Sequence, residues 1–179
     1  MIYLIRHGEA AASWGEHPDP GLSETGQTQA QSVAEHLAAY PIKSIISSPM
    51  ARCRETAAYF GQQSGLDVTV DTDVTEIPTP ADISDRVPWL RSLMSGNWAE
   101  TPMIVANWRD SLLAKIATLP DETAVFSHFV AINAIVGRLE GVDTVTVFRP
   151  NYCSVTNIER RDEQIRLHAR GDSLDTRIL

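Results

Sequence analysis

The chain has 179 residues, 43% of them hydrophobic, which is enough to bury one substantial core and leaves little for a second domain. Its net charge is −8 and its 15 Lys and Arg residues are dispersed, which argues against nucleic acid or an anionic membrane as a partner. Because no apolar run approaches the about 18 residues of a membrane-spanning helix and no leader-like segment is present, we expect one cytoplasmic domain over residues 1–179.

The first half of the chain alternates short apolar runs with a segment of helical periodicity. Residues 2–5 predict a buried strand that stops at Arg6 and His7. Apolar side chains at helical spacing over residues 30–38 predict a helix, which Pro41 closes. Residues 44–47 then predict a second strand, so that a strand, a helix and a strand follow one another.

A helix is predicted directly after the second strand. Ser48 has the side chain of a helix N-cap, and Pro49 suits the first position of a helix. A helix that begins here places Arg52 in its first turn.

The second half of the chain continues the alternation. The predicted strands lie at 67–70, 123–127, near 152–158 and at 164–169, and the predicted helices lie at about 83–93, 102–117 and 129–139, the last ended by Gly141. Residues 71–80 predict a loop. Alternation of this kind is typical of an α/β fold, and we expect a three-layer α/β/α sandwich with a mostly parallel central sheet.

Polar side chains follow three of the predicted strands. His7 follows the first, Arg52 lies one turn beyond the second, and His128 comes immediately after the fourth. Ligands of parallel sheets bind at the carboxyl ends of the strands, so these residues are expected to converge on one site.

These residue types suit phosphoryl transfer. A neutral His7 imidazole can attack phosphorus, while Arg6 and Arg52 grip the equatorial oxygens and His128 donates a further hydrogen bond if protonated. Glu76, in the loop after the third strand, is the best-placed acid for the leaving group, and its rivals in that loop are Asp71 and Asp73. Glu9 suits a supporting hydrogen bond better than the role of acid. Trp14 and Trp98 suit a pocket lining or core packing.

Several segments together resemble the histidine phosphatase, or phosphoglycerate mutase-like, superfamily. The sequence Arg6-His7-Gly8-Glu9 after a strand is similar to the signature of that family. Residues 22–27 are similar to the stretch before the first helix of the family, and residues 47–57 to the segment of its second phosphate-binding arginine. Residues 74–76 are similar to the site of its acid glutamate, residues 126–128 to that of its second histidine, and residues 151–155 to a late strand. Arg52 matches the second arginine, whereas Arg54 does not.

The resemblance implies a phosphoglycerate mutase-like fold and a phosphatase that needs neither metal nor other cofactor. Its phosphate pocket would consist of Arg6, His7, Arg52 and His128, with a phosphohistidine at His7 and Glu76 as proton donor. The expected partner is a small phosphomonoester. Two segments depart from the family pattern: Phe129 and Val130 stand where glycines often follow the second histidine, and residues 77–80 replace a stretch with Gly and Trp.

Four other functions fit parts of the pattern. A small protein-phosphohistidine phosphatase fits the length of the chain, but such phosphatases resemble chains that lack the acid glutamate, the role expected of Glu76. A phosphoglycerate mutase would return the phosphate to a bound intermediate, but such enzymes are usually longer than 179 residues. Residues 71–75 resemble the aspartyl nucleophile motif of magnesium-dependent haloacid dehalogenase-type phosphatases, yet no lysine follows Ser127 as that mechanism requires. A catalytically inactive phospholigand-binding protein would keep the pocket without turnover.

Overall fold

A six-stranded sheet forms the centre of the protein in a computed structural model, which describes residues 1–12, 17–161 and 164–173. The strands are β1 (Ile2–Arg6), β2 (Ser44–Ser47), β3 (Val68–Val70), β4 (Thr123–Ser127), β5 (Val155–Arg161) and β6 (Gln164–Ala169), in the spatial order β3-β2-β4-β1-β5-β6. The helices are α1 (Glu24–Leu37), α2 (Ala51–Ser64), α3 (Arg86–Met94), α4 (Met103–Thr118) and α5 (Phe129–Glu140), with short 3₁₀ helices at Thr72–Val74 and Trp98–Glu100.

The sheet is mixed, with a parallel part that carries the expected polar strand ends. Strands β3, β2, β4 and β1 are parallel neighbours, whereas β5 and β6 continue the sheet in antiparallel pairs. The register pairs Arg6 with Ser127 and Ser47 with Phe126, so β1, β2 and β4 end at the same edge. The predicted fold class is confirmed.

Two apolar clusters cover the two faces of the sheet. Side chains of β1 and β4 alternate between them: Tyr3 and Ile5 pack with α1 and α2, whereas Ile2 and Leu4 pack with α4 and α5. This alternation produces the three layers. No helix of the described ranges has the length and apolar character needed to cross a membrane.

Two helix starts differ from the sequence prediction. Helix α2 begins at Ala51, not at Pro49, and its N-cap position is Met50. The Ala51 N–H donates at 2.8 Å to the carboxylate of Asp19, a residue from an earlier loop. The Ser48 hydroxyl instead lies 2.8 Å from Nε2 of His128. A tertiary partner has therefore replaced the local capping role expected of Ser48.

Helix α1 begins inside the stretch that was expected to precede it. Ser23 is its N-cap, and its hydroxyl accepts the N–H of Gly26, so the helix already includes residues 24–27. The late strand expected from about residue 152 begins at Val155 instead. Tyr152 and Cys153 form a turn there, in which Cys153 has a φ of 55°.

Candidate active site

The four residues expected in the phosphate pocket come together at the shared edge of β1, β2 and β4. We call Arg6, His7, Arg52 and His128 the strand-end cluster. Their exposed fractions are 6%, 7%, 5% and 0%. The His7 N–H donates to the Ser127 carbonyl at 3.0 Å, and the His7 and His128 rings lie with centroids 5.3 Å apart. Residues from three distant segments thus share one small, largely buried site.

The His7 ring is held with one nitrogen toward the site. Its Nδ1 lies 2.7 Å from the Gly8 carbonyl, to which a neutral ring donates, and this leaves the lone pair on Nε2. The Gly8 N–H donates to Thr56 on α2, and a Cβ at Gly8 would lie only 2.7 Å from the Gly26 carbonyl oxygen. Burial lowers the pKa of His7 well below its ordinary value of 6.5, and the charges around it lower the pKa further. The ring is therefore an uncharged base.

Arg52 contacts both imidazoles of the strand-end cluster and the Glu76 carboxylate. Its Nε donates to Nε2 of His7 at 3.2 Å, and its Nη2 lies 3.0 Å from Glu76 and 3.3 Å from Nδ1 of His128. Asp19 lies 3.8 Å from its Nη1. The guanidinium therefore points its donors at the space between the two imidazoles.

Arg6 is fixed by aromatic rings and by one backbone carbonyl. Its Nη1 donates to Pro150 at 2.9 Å, and its Cζ lies 3.9 Å from the ring centre of Tyr152 and 5.4 Å from that of Phe129. Burial lowers the pKa of Arg6 below its ordinary range. Phe129, which departs from the family pattern, thus contacts a guanidinium of the site.

His128 has a partner at each ring nitrogen. Its Nε2 lies 2.8 Å from the Ser48 hydroxyl, and its Nδ1 faces Arg52 and Glu76. Burial, with further contributions from the charges of Arg52, Arg86 and Arg6, lowers the pKa of His128 well below 6.5. A charged imidazolium, the form in which His128 was expected to donate a hydrogen bond, is therefore disfavoured.

Glu76 lies in the loop that precedes α3, residues 71–85, which we call the acid loop. The neighbouring Val74 and Ile77 are buried in the core, and the Val74 carbonyl accepts a hydrogen bond from Ser127 at 2.8 Å. These anchors bring the Glu76 carboxylate to 3.4 Å from Nδ1 of His128, with a side chain that is 10% exposed. Arg86 donates to Thr79 and Ile77 and so fixes the far end of the loop.

The rival carboxylates lie elsewhere. Asp71 pairs with Lys115 at 2.6 Å, and Asp73 is exposed. The Glu9 carboxylate accepts a hydrogen bond from Ser23 at 2.7 Å, which ties the loop after β1 to α1. Trp98 is buried in the core beside Trp108, and Trp14 lies outside the described residues.

Sequence reasoning missed four residues that shape the site. Tyr152 and Ser48 contact members of the strand-end cluster. Asp19 contacts the first turn of α2 at Ala51 and Arg52, and Arg86 adds positive charge near His128. The available signals were weak: the similarity of residues 151–155 to a late strand of the family pointed to the region of Tyr152. In the described ranges, no group of three or more His, Cys, Asp and Glu side chains is arranged to hold a metal ion.

Comparisons with known proteins identify the family of the chain. The family model described as histidine phosphatase superfamily, branch 1, matches residues 2–173. "Probable phosphoglycerate mutase GpmB" of Salmonella choleraesuis (strain SC-B67) is 25% identical over 92% of this chain and 86% of its own length. A mycobacterial glucosyl-3-phosphoglycerate phosphatase, solved in complex with VO3, is 25% identical and superimposes with a TM-score of 0.71 over 96% of this chain and 98% of its own.

A further structure shares the fold. It is a phosphoserine phosphatase from Entamoeba histolytica in complex with 3-phosphoglyceric acid, with a TM-score of 0.75 and 20% identity over 96% of each chain. Because the family model spans nearly the whole sequence and the fold agrees, the chain belongs to the histidine phosphatase superfamily, branch 1.

Proposed function

We propose that the protein is a metal-independent phosphomonoesterase, which acts on a small phosphorylated molecule through a phosphohistidine at His7, with Glu76 as general acid. The observation that carries this proposal is the orientation of His7. Its Nδ1 is bonded to the Gly8 carbonyl, and its Nε2 faces the guanidinium of Arg52 at 3.2 Å. The nucleophilic lone pair and the donors for the phosphoryl oxygens thus face the same space.

In the first step, Nε2 of His7 forms a bond to phosphorus while the bond from phosphorus to the leaving oxygen breaks. Arg6 and Arg52 neutralise the phosphoryl oxygens, and Glu76 gives its proton to the leaving oxygen.

In the second step, Glu76 takes a proton from water as the water oxygen bonds to phosphorus. The bond from Nε2 to phosphorus breaks, inorganic phosphate is released, and Glu76 is again protonated. The depressed pKa of His7 supports both steps, since a neutral imidazole is needed before attack and is a good leaving group afterwards. The small exposed fractions of the strand-end cluster favour a small substrate over a large phosphorylated surface.

The test is turnover of an aryl phosphate in the presence of EDTA. We expect activity in the parent protein and a loss of about 10³-fold or more in His7→Ala. His168→Ala, which removes an exposed imidazole of β6, is the matched control and should keep parental activity. Absence of turnover in the parent would favour the phospholigand-binding alternative, and a requirement for magnesium would contradict the phosphohistidine mechanism.

A mutase is the second candidate, because a relative named as a phosphoglycerate mutase covers most of the chain. The two candidates differ in what attacks the phosphohistidine, namely water or a hydroxyl of a bound intermediate. Incubation with a phosphoglycerate distinguishes them. A hydrolase releases inorganic phosphate, whereas a mutase converts one phosphoglycerate isomer into the other without releasing it.

A further inference from the structure

The position of the proton on His128 decides what this ring can do. The ring is fully buried, its Nε2 lies 2.8 Å from the Ser48 hydroxyl, and its Nδ1 faces the site. A neutral imidazole carries one proton, so it donates at one nitrogen and accepts at the other. Arg52 Nη2 lies 3.3 Å from Nδ1, a contact that suits a lone pair at Nδ1 and a proton at Nε2.

That arrangement cannot serve a phosphoryl oxygen, which only accepts hydrogen bonds. A lone pair at Nδ1 would face the oxygen and repel it. Protonating the ring would solve the problem, but burial and the positive charges of Arg52, Arg86 and Arg6 oppose it. The ring can donate without becoming charged only if its proton lies on Nδ1 and its Nε2 accepts a hydrogen bond.

Ser48 is placed to supply that hydrogen bond. Its N–H donates to the Phe126 carbonyl at 3.0 Å, and its oxygen lies 3.3 Å from the N–H of Met50, so the hydroxyl is held in place. A serine hydroxyl has one donor and two acceptor sites, so it can accept from an Nε2 proton or donate to an Nε2 lone pair. The same contact therefore serves both forms of the neutral ring.

We propose that Ser48 is a positioning residue that sets the tautomer of His128: when phosphate is bound, its hydroxyl donates to Nε2, and the neutral ring donates from Nδ1 to a phosphoryl oxygen. The change leaves the charge of the ring unaltered. Nε2 releases one proton to water, and Nδ1 takes one from water or from the entering phosphate. This inference rests on the proposed function only in that the strand-end cluster must bind phosphate.

The other neighbours of the ring do not replace Ser48. Cys53 Sγ lies 3.4 Å from Nε2, but it also lies 3.5 Å from the Ser127 carbonyl, toward which its weak S–H donor is directed. Burial raises the pKa of Cys53, which keeps the thiol uncharged. Glu76 lies 3.4 Å from Nδ1 and not at Nε2, so it does not take the place of the Ser48 hydroxyl.

The direct test is nitrogen NMR of the full chain with labelled histidines, with the His128 signals assigned by their loss in His128→Gln. With saturating inorganic phosphate, above the ordinary pKa of histidine, we expect a neutral His128 ring with its proton on Nδ1. A proton that stays on Nε2, a doubly protonated ring, or the absence of phosphate binding would each overturn the proposal. This measurement needs no Ser48 variant and so does not depend on how one folds.

Substitution gives the second test, with competitive inhibition by inorganic phosphate as the readout. Ser48→Ala should raise the inhibition constant roughly tenfold to a hundredfold, the effect of losing one hydrogen bond to a charged group. Its phosphate binding should recover as the pH falls and the ring becomes protonated, whereas Ser48→Thr should retain the parental pH profile. Ser47→Ala removes a neighbouring buried hydroxyl that bonds to the Ser48 carbonyl, and it should keep parental values.

The outcomes separate the two proposals. Equal phosphate inhibition and equal pH profiles in Ser48→Ala and Ser47→Ala would overturn the role of Ser48 and leave the hydrolase proposal intact. Phosphate binding with the expected tautomer but without any turnover of phosphomonoesters would overturn the hydrolase and support the role of Ser48.

Discussion

The strand-end cluster and the acid loop form two sides of one site, and they are built differently. Each member of the strand-end cluster lies at or near an end of β1, β2 or β4, where the sheet register fixes the backbone. The acid loop has no neighbouring strand at Glu76 and is held by the buried side chains of Val74 and Ile77 and by Arg86. The position of the phosphate-facing side is therefore set by the sheet, whereas the position of the acid-bearing side depends on a few anchoring residues.

Replacement of Glu76 is expected to have the largest effect on activity among the changes that compare the two sides. Glu76→Gln keeps the shape of the side chain but removes its proton, so we expect kcat/KM on an alkyl phosphate, which reports the transfer from substrate to His7, to fall by about 10²-fold or more. The loss should be much smaller on a nitrophenyl phosphate, whose leaving group needs no proton. Asp73→Asn, an exposed change in the same loop, is the control. Equal losses on both substrates would contradict the role of Glu76 as acid.

Arg52 joins the two sides, so its replacement should damage both. Arg52→Lys keeps the charge but loses the planar fork that reaches His7 and Glu76, and we expect kcat/KM to fall by roughly 10²-fold. The control is Arg54→Lys, two residues along the same helix and exposed. Steady-state kinetics that showed similar losses in both variants would contradict a specific role for Arg52.

A smaller effect is expected on the strand-end side at Tyr152. Tyr152→Leu removes the ring 3.9 Å from Arg6, and Tyr152→Phe keeps it. The loss of one cation–π contact should weaken phosphate inhibition about threefold to thirtyfold in the leucine variant. The phenylalanine variant should stay near the parent, and an equal loss in both would assign the effect to the hydroxyl instead of the ring.

The smallest expected effect is on stability. The pKa values of His7 and His128 are depressed in the folded state, so below the ordinary value of 6.5 the unfolded chain binds more protons than the folded one. These groups should therefore lower Tm as the pH falls through about 6.5 toward 5, and should contribute no slope above it. The slope should be smaller in His7→Gln. Thermal unfolding across this range measures it, and an unchanged slope would show that His7 does not carry the effect.

The elements and the residues of the strand-end cluster could be predicted from local sequence, since apolar runs locate the strands and polar residues follow them. His7 and His128 follow strands directly, so parallel pairing was enough to predict that they converge. Ser48 was misassigned because a serine before proline has the local chemistry of an N-cap, and its actual partner is 80 residues away.

Other features depend on tertiary structure that no local pattern carries. The turn at Cys153, with its positive φ, brings Tyr152 to Arg6, and nothing in the hydrophobic pattern of the late strand indicates a turn there. Arg86 was read as an ordinary residue of a predicted helix, and only the folded loop brings its charge near His128. Glu76 could be nominated from its loop, but separating it from Asp71 needed the ion pair with Lys115.

The most direct measurement is rapid quenching of the full chain during turnover of a ³²P-labelled phosphomonoester, followed by mapping of the labelled peptide. We expect acid-labile, base-stable phosphate on His7 in the parent and no label in His7→Ala. The label should accumulate in Glu76→Gln if the loss of Glu76 slows the hydrolytic step more than phosphoryl transfer. Turnover in the parent without label on His7, or with label on a carboxylate such as Asp71, would contradict a phosphohistidine intermediate at His7.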